Sequence, residues 1–459
     1  MVDESGFTRG SSESSLYHRH DAISGDITIC LLEVDDLLIT GNNDFIIEQF
    51  HQSLDKKYGS GALGNSPITW EDLSSFLGVN IIYDRHNRVL TMDVAAKIDK
   101  LFEEHVAISK VPTRYTPLPS KDTPSHSHPV QLSDYVKEHY QSLVGSMIYM
   151  SISCRPDVSY GIGRLSRHMH NPTPEAVSEC IHLLGYLKVP KHRLTCLEYR
   201  VSGNRLRTMM SGMHGDKNGA LRGVSGRLTN AQGQPLDAFT DSNLCGSFED
   251  KHKSTSGFAV FHLYHLIPWK SKLQQLTATS THEAELIALA LGADEVMWIR
   301  KTLDELWFCY MDMLLPDGSH PITPIDTSEI DGICDAIAQL DAAVAADPET
   351  SNIVPRAVAQ FTETRSLWHD SWRFITRFLP TTINVDNLAL KFSVTNPDTN
   401  KPGSRHLGMR LFKIRDYIAG ACARCSHIGT EFNIADMFTK SLGKNLFWHF
   451  TNLIMCQRE

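Results

Sequence analysis

The first hundred residues alternate short apolar runs with polar turns, a pattern typical of β-hairpins. The segment 26–41 (DITICLLEVDDLLITG) holds two apolar runs separated by an acidic pair, which predicts a hairpin with Asp35 and Asp36 at or near its turn. A second hairpin is predicted over 80–92. Apolar residues spaced three and four apart predict a helix over 93–105.

The middle of the chain is organised by composition as much as by periodicity. Residues 115–130 are rich in Pro, Ser and His, which predicts a linker. Helices are predicted over about 138–152 and 174–188. A polar stretch rich in Gly, 202–234, predicts a second linker before the pattern changes at Leu236.

The last part of the chain alternates strand-like and helix-like segments. This order indicates a mixed α/β layer architecture. The predicted elements are strands at 236–241, 256–263 and 265–273, a helix at 281–306, a strand at 382–387, a helix at 405–419, a strand at 422–428 and a helix beginning around Asn433.

Residues 307–380 interrupt this order. They are acidic, begin with a Pro-rich stretch and hold one amphipathic candidate around Ile333. A structureless segment of this length is unusual inside a compact domain. We interpret it as an insertion that is partly helical and poorly packed; an intron read as coding sequence or an assembly error is the alternative.

Composition narrows the class of protein. The chain has 459 residues, a formal net charge of −9, 41% hydrophobic and 21% charged residues, as in globular proteins of two or three domains. We expect no membrane partner and no secretion, because no apolar run could cross a bilayer and no signal sequence begins the chain. Ten dispersed cysteines indicate a reducing, intracellular compartment, with cytoplasm and nucleus both open. The negative net charge of the whole chain does not by itself favour binding to nucleic acid.

Candidate chemistry comes from carboxylates. On the predicted helix that follows Ser280, a step of 100° per residue places Glu285 on the apolar stripe, whereas Glu283 points away as a cap or solvent residue. A carboxylate in an apolar stripe is costly unless a cation or donor compensates it. Asp241 ends a predicted strand, as does Asp386, and Asp436 falls in the first turn of the predicted last helix.

Four such carboxylates would repel one another unless divalent cations neutralised them. This is the requirement of two-metal phosphodiester hydrolysis, for which oxygen ligands favour two Mg²⁺ or Mn²⁺ ions. The alternative is that the four are unrelated caps and turn residues, and spacing alone favours that alternative.

Several motifs in a fixed order change this balance. The segments FTDSNLCGS, KSTSGF, PWKSKLQQ, STHEAELIALALGADEVMWIRKTL, INVDNLAL, SRHLGMRLFKIRDYI and EFNIADMFTKSL resemble the ribonuclease H domain of copia-type LTR retrotransposon Pol polyproteins. Upstream, EVDDLLITGN, SSFLGVNI, YQSLVGSMIYMSISCRPDVSYGIGRLSRHM and YLK resemble the second half of that family's reverse transcriptase and its connection region. The resemblance covers most of the chain apart from 307–380.

The resemblance implies roles for particular residues. It implies that Asp241, Glu285, Asp386 and Asp436 are the catalytic, metal-binding carboxylates of a ribonuclease H. It also suggests that basic residues of the predicted helix at 405–419 approach the substrate backbone, namely Arg405, His406 and Arg410; a solvated helix face is the alternative.

The polymerase half departs from the family pattern. The family places a Tyr-Val-Asp-Asp motif in this hairpin, but Glu33 occupies the tyrosine position here, ahead of Asp35 and Asp36. We expect the third polymerase carboxylate and the fingers to be missing, so Asp35 and Asp36 are a remnant of a polymerase site. We therefore expect no RNA-directed DNA polymerase activity from this chain.

The resemblance implies an α/β (α+β) chain in which a partial reverse transcriptase precedes a ribonuclease H-like mixed sheet. The expected activity is hydrolysis of the RNA strand of RNA·DNA hybrids, with a second copy of the polyprotein as a possible partner. The alternative is a catalytically dead remnant that at most binds nucleic acid. The domains would be a palm and thumb remnant of a reverse transcriptase (1–114), a linker with the connection helices (115–200), a second linker (201–235), the first part of the ribonuclease H domain (236–306), an acidic insertion (307–380) and the second part of the ribonuclease H domain with a C-terminal tail (381–459).

Overall fold

The computed structural model describes eleven stretches of the chain. They are residues 6–21, 26–34, 36–59, 72–105, 110–119, 132–200, 236–245, 252–262, 265–306, 380–396 and 405–457. Asp35, the predicted linker at 202–234 and residues 307–379 of the predicted insertion lie outside the described residues.

The described residues form an α+β structure with three sheets. The strands are β1 (Thr8–Arg9), β2 (Leu16–Asp21), β3 (Asp26–Glu33), β4 (Asp36–Gly41), β5 (Ser75–Phe76), β6 (Val79–Asp84), β7 (Val89–Asp93), β8 (Thr195–Arg200), β9 (Leu236–Asn243), β10 (Thr255–His262), β11 (His265–Leu273), β12 (Thr381–Val385), β13 (Ala423–His427) and β14 (Cys456–Gln457). The helices are α1 (Asp44–Tyr58), α2 (Ala95–His105), α3 (Asp134–Ser153), α4 (Ser159–Ser166), α5 (Pro174–Leu187), α6 (Pro190–Arg193), α7 (Thr281–Glu305), α8 (Leu388–Thr395), α9 (Arg405–Ala419) and α10 (Lys444–Ile454).

The first sheet contains the first predicted hairpin. Its strands run antiparallel in the order β1-β2-β3-β4, and Glu33 pairs with Asp36 across the hairpin turn. Between them, Val34 adopts a positive φ of 52°, which the tight connection imposes. Helix α1 covers the sheet, and Phe50 and Leu54 pack there with Phe7 and Cys30 in a small separate core.

The second sheet draws its strands from distant parts of the chain. Its order is β14-β8-β7-β6-β5, with every neighbouring pair antiparallel. The predicted hairpin at 80–92 is confirmed as β6 and β7. Helix α2 is confirmed as well, and its apolar face is buried, since Ile98, Leu101 and Phe102 are each less than 5% exposed.

The third sheet is mixed and lies in the last part of the chain. Its order is β11-β10-β9-β12-β13, in which β9, β10 and β11 are antiparallel whereas β12 runs parallel to both β9 and β13. Helices α7, α8 and α9 form one apolar core with the sheet. A larger core contains residues of the sheet together with residues of α3, α4, α5 and α10.

In this part of the chain, one helix was missed and one prediction was wrong. Helix α8, which directly follows β12, was not predicted. The helix predicted from Asn433 is a 3₁₀ turn, Ile434–Phe438, and α10 begins only at Lys444. All five residues of the 3₁₀ turn are buried, so the segment has no polar face of the kind that a surface helix presents to water.

Across the described part of the chain, no helix combines the length and the apolar composition that crossing a bilayer would require.

Candidate functional site

Three of the four singled-out aspartates and glutamates meet at one end of the mixed sheet. Asp241, Asp386 and Asp436 each direct a carboxylate oxygen to a point where the three atoms lie within 4.8 Å of one another. Asp241 and Asp436 are buried, and Asp386 is half-buried. We call these three side chains, together with Glu285, the carboxylate cluster.

Strand pairing explains why Asp241 and Asp386 meet. Phe239 of β9 pairs with Asn384 of the parallel strand β12. Asp241 follows Phe239 by two residues within β9, and Asp386 follows Asn384 by two residues directly after the end of β12, so both carboxylates reach the same end of the sheet. The carboxyl ends of parallel strands are the usual place for such convergence in α/β sheets.

A glycine and an asparagine bring Asp436 to the same edge. The Nδ2 amide of Asn433 donates a hydrogen bond to the Thr240 carbonyl at 3.1 Å, which fixes the 3₁₀ turn against β9. Gly257 pairs with Asp241 on the neighbouring strand, and a Cβ atom there would lie only 2.8 Å from the Cβ of Phe438. The turn can approach the sheet because Gly257 has no side chain.

Helix α7 supplies the fourth carboxylate and confirms the prediction about its two glutamates. Ser280 accepts a hydrogen bond from the Glu283 N–H at 3.2 Å, and half-buried Glu283 in turn accepts from the Thr279 N–H at 2.8 Å. Glu285 is buried. The helix can lie close to β9 because of Gly292, where a Cβ would lie 2.5 Å from the Thr240 methyl group.

The proximity of these groups changes their protonation. Burial, followed by the charges of Asp241 and Asp386, raises the pKa of Glu285 to about 9. Burial and Asp241 raise the pKa of Asp436 to about 7 although Lys440 opposes the shift. The same two causes raise the pKa of Asp386. Without a metal, Glu285 therefore keeps its proton at neutral pH, because the surroundings of the cluster do not neutralise all four carboxylates in their ionised form.

Two side chains that follow Asp436 provide part of the compensation. The Lys440 ammonium lies 2.8 Å from Asp436 Oδ1 and 3.8 Å from Asp241 Oδ2. Burial lowers the pKa of Lys440, but the charges of Asp241 and Asp436 outweigh it and raise the pKa overall. The hydroxyl of Thr439 donates a hydrogen bond to Asp241 Oδ2.

The donor set fits a divalent cation. All the candidate ligands are carboxylate oxygens, which Mg²⁺ and Mn²⁺ prefer. Glu285 Oε2 is buried and accepts no hydrogen bond within the described residues, so one strong acceptor has its capacity unused. The structure thus offers the ligands that a metal centre needs.

The structure gives less for the other residues singled out from the sequence. The backbone of Arg405 and His406 opens α9, but their side chains lie outside what is described. Arg410 is half-buried, its Nη1 donates no hydrogen bond within the described residues, and no ion pair there joins it to the carboxylate cluster. Asp36 is exposed at the start of β4 and belongs to no metal-ligating group among the described residues.

Sequence reasoning missed the residues that support the cluster. Lys440 and Thr439 follow Asp436 closely, but nothing in their spacing shows that they turn back toward Asp241. The tight packing of Gly257 and Gly292 was also missed. A glycine within a predicted strand or helix is the signal that could have indicated close approach of two backbones.

Comparison with known proteins adds an independent line of evidence. No family model matches the chain. The chain is 28% identical over 455 residues, 98% of its length, to the "Retrovirus-related Pol polyprotein from transposon RE2" of Arabidopsis thaliana. It is 26% identical over 283 residues to the "Retrovirus-related Pol polyprotein from transposon TNT 1-94" of Nicotiana tabacum, a match of 61% of this chain and 18% of that protein.

A shorter relative is matched over most of its own length. The chain is 30% identical over 292 residues to a putative transposon Ty5-1 protein of Saccharomyces cerevisiae, and the match covers 63% of this chain and 80% of that protein. By contrast, the chain spans only 23% of the length of the RE2 polyprotein.

Proposed function

Because the chain belongs to the retrovirus-related Pol polyproteins of copia-type transposons, we propose that its carboxylate cluster is a ribonuclease H centre. The reaction would be hydrolysis of the RNA strand of RNA·DNA hybrids. The observation that carries the proposal is the convergence of Asp241, Asp386 and Asp436 within 4.8 Å at the edge of the mixed sheet.

The arrangement of α7 supports the proposal further. Glu285 is buried beside Asp241 and Asp386, and their charges contribute to its high pKa. Burial of several carboxylates together is costly and is not explained by the apolar core around them. Binding of divalent cations would explain why these carboxylates are buried together.

The chain's own residues have separable roles in this proposal. Two divalent ions, Mg²⁺ or Mn²⁺, would supply an activated water and neutralise the leaving oxygen. Asp241 and Asp386 would hold them, because their strands direct both carboxylates to one point. Glu285 and Asp436 would complete the ligand set and orient the water. Lys440 would keep part of the charge neutralised before loading.

We assign the rest of the chain by the same family relationship. Residues 1–114 would be a palm and thumb remnant and 115–200 the connection, followed by a linker at 201–235 and the ribonuclease H parts 236–306 and 381–459 around the insertion 307–380. We propose no polymerase activity, since Glu33 replaces the family's tyrosine and Asp36 lies exposed at a hairpin end. We also propose a second copy of the polyprotein as a partner.

One observation favours a second candidate, a non-catalytic remnant that at most binds nucleic acid. Lys440 already provides a cation in contact with Asp436 and near Asp241. In a remnant, that ammonium alone would neutralise the cluster and no metal would enter.

Cleavage of an end-labelled RNA·DNA hybrid tests the proposal. We expect the wild type to cut the RNA strand with Mg²⁺ or Mn²⁺ and Asp386→Asn to lose at least about a hundredfold in rate, because a metal ligand is removed. The variant should also lose the metal-induced rise in melting temperature.

Glu283→Gln is the matched control, since it removes a carboxylate from the same helix turn as Glu285 but outside the cluster. It should cleave like the wild type. The non-catalytic remnant would be established instead by two results together. The folded wild type would cleave with neither Mg²⁺ nor Mn²⁺, and neither ion would change its melting temperature.

A further inference from the structure

A second candidate site lies on the helix that follows the carboxylate cluster. Helices α6 and α10 and the segment 110–119 enclose a groove of about 640 Å³. We call it the α10 groove. Its walls include Tyr115, Lys191, His192, Lys444, Trp448 and His449. A volume of this size is in the range of small-molecule and nucleotide sites.

The charge of the α10 groove is opposite to that of the whole chain. The described lining contains two lysines and no carboxylate, although the chain as a whole has a net charge of −9. Lys191 and Lys444 are both exposed. A local concentration of positive charge on an acidic protein selects for an anionic ligand.

Aromatic rings accompany these cations. Tyr115 is 56% exposed, and the Lys444 ammonium lies 4.4 Å from the centre of its ring. The indole N–H of Trp448 donates to the Tyr115 carbonyl at 2.9 Å, and its ring lies 4.7 Å from that of His192. Rings fixed in this way form a preformed wall, which lowers the entropic cost of binding.

The buried histidine makes the wall rigid. The His192 Nδ1 is 3.0 Å from the Tyr186 carbonyl, and the two rings stack with their centres 4.5 Å apart. His192 is only 3% exposed, so its role is to support the wall and not to carry charge into the groove. Burial lowers its pKa, which agrees with a neutral ring.

The combination of exposed ring and flanking cations indicates the chemistry of the ligand. Nucleic-acid strands without a complementary partner bind where bases stack on aromatic side chains and lysines neutralise phosphates. We propose that the α10 groove binds a single-stranded nucleic-acid segment, with a base on Tyr115 and phosphates at Lys191 and Lys444. The choice of ligand rests on the proposed function, but binding in the groove needs no metal.

The position of the groove relates it to the carboxylate cluster. Lys444 lies four residues after Lys440, which contacts Asp436. The Ser441 hydroxyl, between them, donates to the Pro119 carbonyl at 2.5 Å, which fixes this connection to the segment that carries Tyr115. The short segment from Lys440 to Lys444 therefore links the carboxylate cluster to the wall of the groove.

Fluorescence anisotropy with a fluorescein-labelled thymidine dodecamer in EDTA tests the proposal on the full chain. We expect the double variant Lys191→Glu/Lys444→Glu to raise Kd at least about tenfold and to lower the log–log salt slope by about 1.4, because two phosphate contacts are lost. Tyr115→Ala should raise Kd at least about fivefold, because one stacking contact is lost.

The chain offers a control at the end of α1, outside the lining of the groove. The Lys57 ammonium lies 5.9 Å from the ring of its exposed neighbour Tyr58. Lys57→Glu should therefore change Kd less than twofold. If it weakens binding as much as the groove variants do, or if folded groove variants bind like the wild type, the proposal is wrong.

Two further measurements separate this proposal from others. Polyglutamate that competes as well as unlabelled oligonucleotide at equal charge would overturn the nucleotide assignment in favour of a general polyanion or acidic-peptide surface. Asp386→Asn should keep the groove affinity of the wild type while losing cleavage. Oligonucleotide binding by a chain that never cleaves hybrids would support the groove and refute the proposed ribonuclease activity.

Discussion

Lys440 neutralises part of the negative charge of the carboxylate cluster when no metal is bound. Its ammonium contacts Asp436 and lies 3.8 Å from Asp241, both almost fully buried. Even with this cation present, the pKa of Asp436 is raised to about 7, so the opposing effect of burial and Asp241 is larger. Removal of the cation would leave buried like charges facing one another.

We expect Lys440→Met to lower the free energy of unfolding by about 2 kcal/mol in EDTA, since a buried partner of two carboxylates is lost. Under the proposed function, Mg²⁺ or Mn²⁺ should restore most of this loss. Chemical denaturation with and without the ions measures both effects.

Lys413→Met is the control, because the Lys413–Asp294 ion pair at 2.5 Å has both side chains about half exposed. It should cost less than about 1 kcal/mol and show no dependence on the ions. Equal losses in the two variants would contradict a special role for Lys440.

Individual residues also show where sequence reasoning succeeded and where it ended. The helical repeat alone separated buried Glu285 from the capping residue Glu283, since a helix fixes the direction of each side chain. The helical repeat could not show that Lys440 contacts the carboxylate cluster. Its contact with Asp241 joins residues 199 positions apart, and it depends on a 3₁₀ turn that the sequence pattern did not indicate.

Packing between elements depends on two glycines. Gly257 lies under the 3₁₀ turn that carries Asp436, and Gly292 lies where α7 crosses β9. In both places a single methyl group would push an element that holds a cluster carboxylate away from the sheet. The spacing of the carboxylates is therefore set by backbone contact and not by the carboxylates themselves.

We expect Gly257→Ala to destabilise the protein by about 1–3 kcal/mol, since its Cβ would lie 2.7 Å from the Thr439 methyl and 2.8 Å from Phe438. The displaced turn should also weaken metal-induced stabilisation. Thermal unfolding with and without Mn²⁺ measures both.

Gly145→Ala should change the stability of the protein in the opposite direction. Gly145 lies within α3, and nothing lies within 4 Å of its added Cβ, so alanine should stabilise by up to about 1 kcal/mol. A Gly257→Ala variant as stable as the wild type would show that the turn can move freely.

The hairpin of β10 and β11 carries a pair of histidines. His262 pairs with His265, and burial, with a smaller effect of His265, lowers the pKa of His262 to about 4. The unfolded chain takes up a proton near pH 6.5, whereas the folded chain does so only near pH 4. This stabilising contribution is complete above pH 6.5 and is lost as the pH falls toward 4.

Between pH 7 and pH 4, we expect the wild type to lose about 2 kcal/mol more than His262→Gln, which cannot titrate. Urea denaturation across this range measures the difference. Parallel pH profiles for the two proteins would show that His262 is protonated freely in the folded state.

Element boundaries were predictable where one periodicity dominated. The hairpin of β6 and β7, helix α2 and the strands β9, β10 and β11 agree with the sequence pattern to within a few residues. Segments that are buried on all sides gave no such pattern, and the 3₁₀ turn before α10 is the example. Periodicity reports a contrast between two faces, so it fails where both faces are apolar.

Parts of the chain that look separate in sequence share one interior in the folded molecule. The larger core includes Ile81 of β6, Met147 of α3, Phe261 of β10 and Phe450 of α10. Strand β14 near the chain's end also pairs with β8. Cores of this kind make the unfolding of one part expose apolar surface of the other, so we expect both to unfold together.

Trp269 is the side chain that best tests this coupling. Its indole N–H donates to the Ser151 carbonyl and to the Ser159 hydroxyl, both at 2.9 Å, and so joins β11 to α3 and α4. We expect Trp269→Ala to cost about 3 kcal/mol, because a packed aromatic ring and two partly buried hydrogen bonds are lost. Hydrogen exchange should show reduced protection in α3 as well as in β11.

Trp298 provides the comparison, since it is 41% exposed on α7 and its indole N–H donates to the Ser12 carbonyl. Trp298→Ala should cost about 1 kcal/mol and leave the exchange of α3 unchanged. If Trp269→Ala lowered protection in β11 alone, the helices and the mixed sheet would be independent units despite their common core. Equal loss in both would show that these helices and the mixed sheet open together, as their common core leads us to expect.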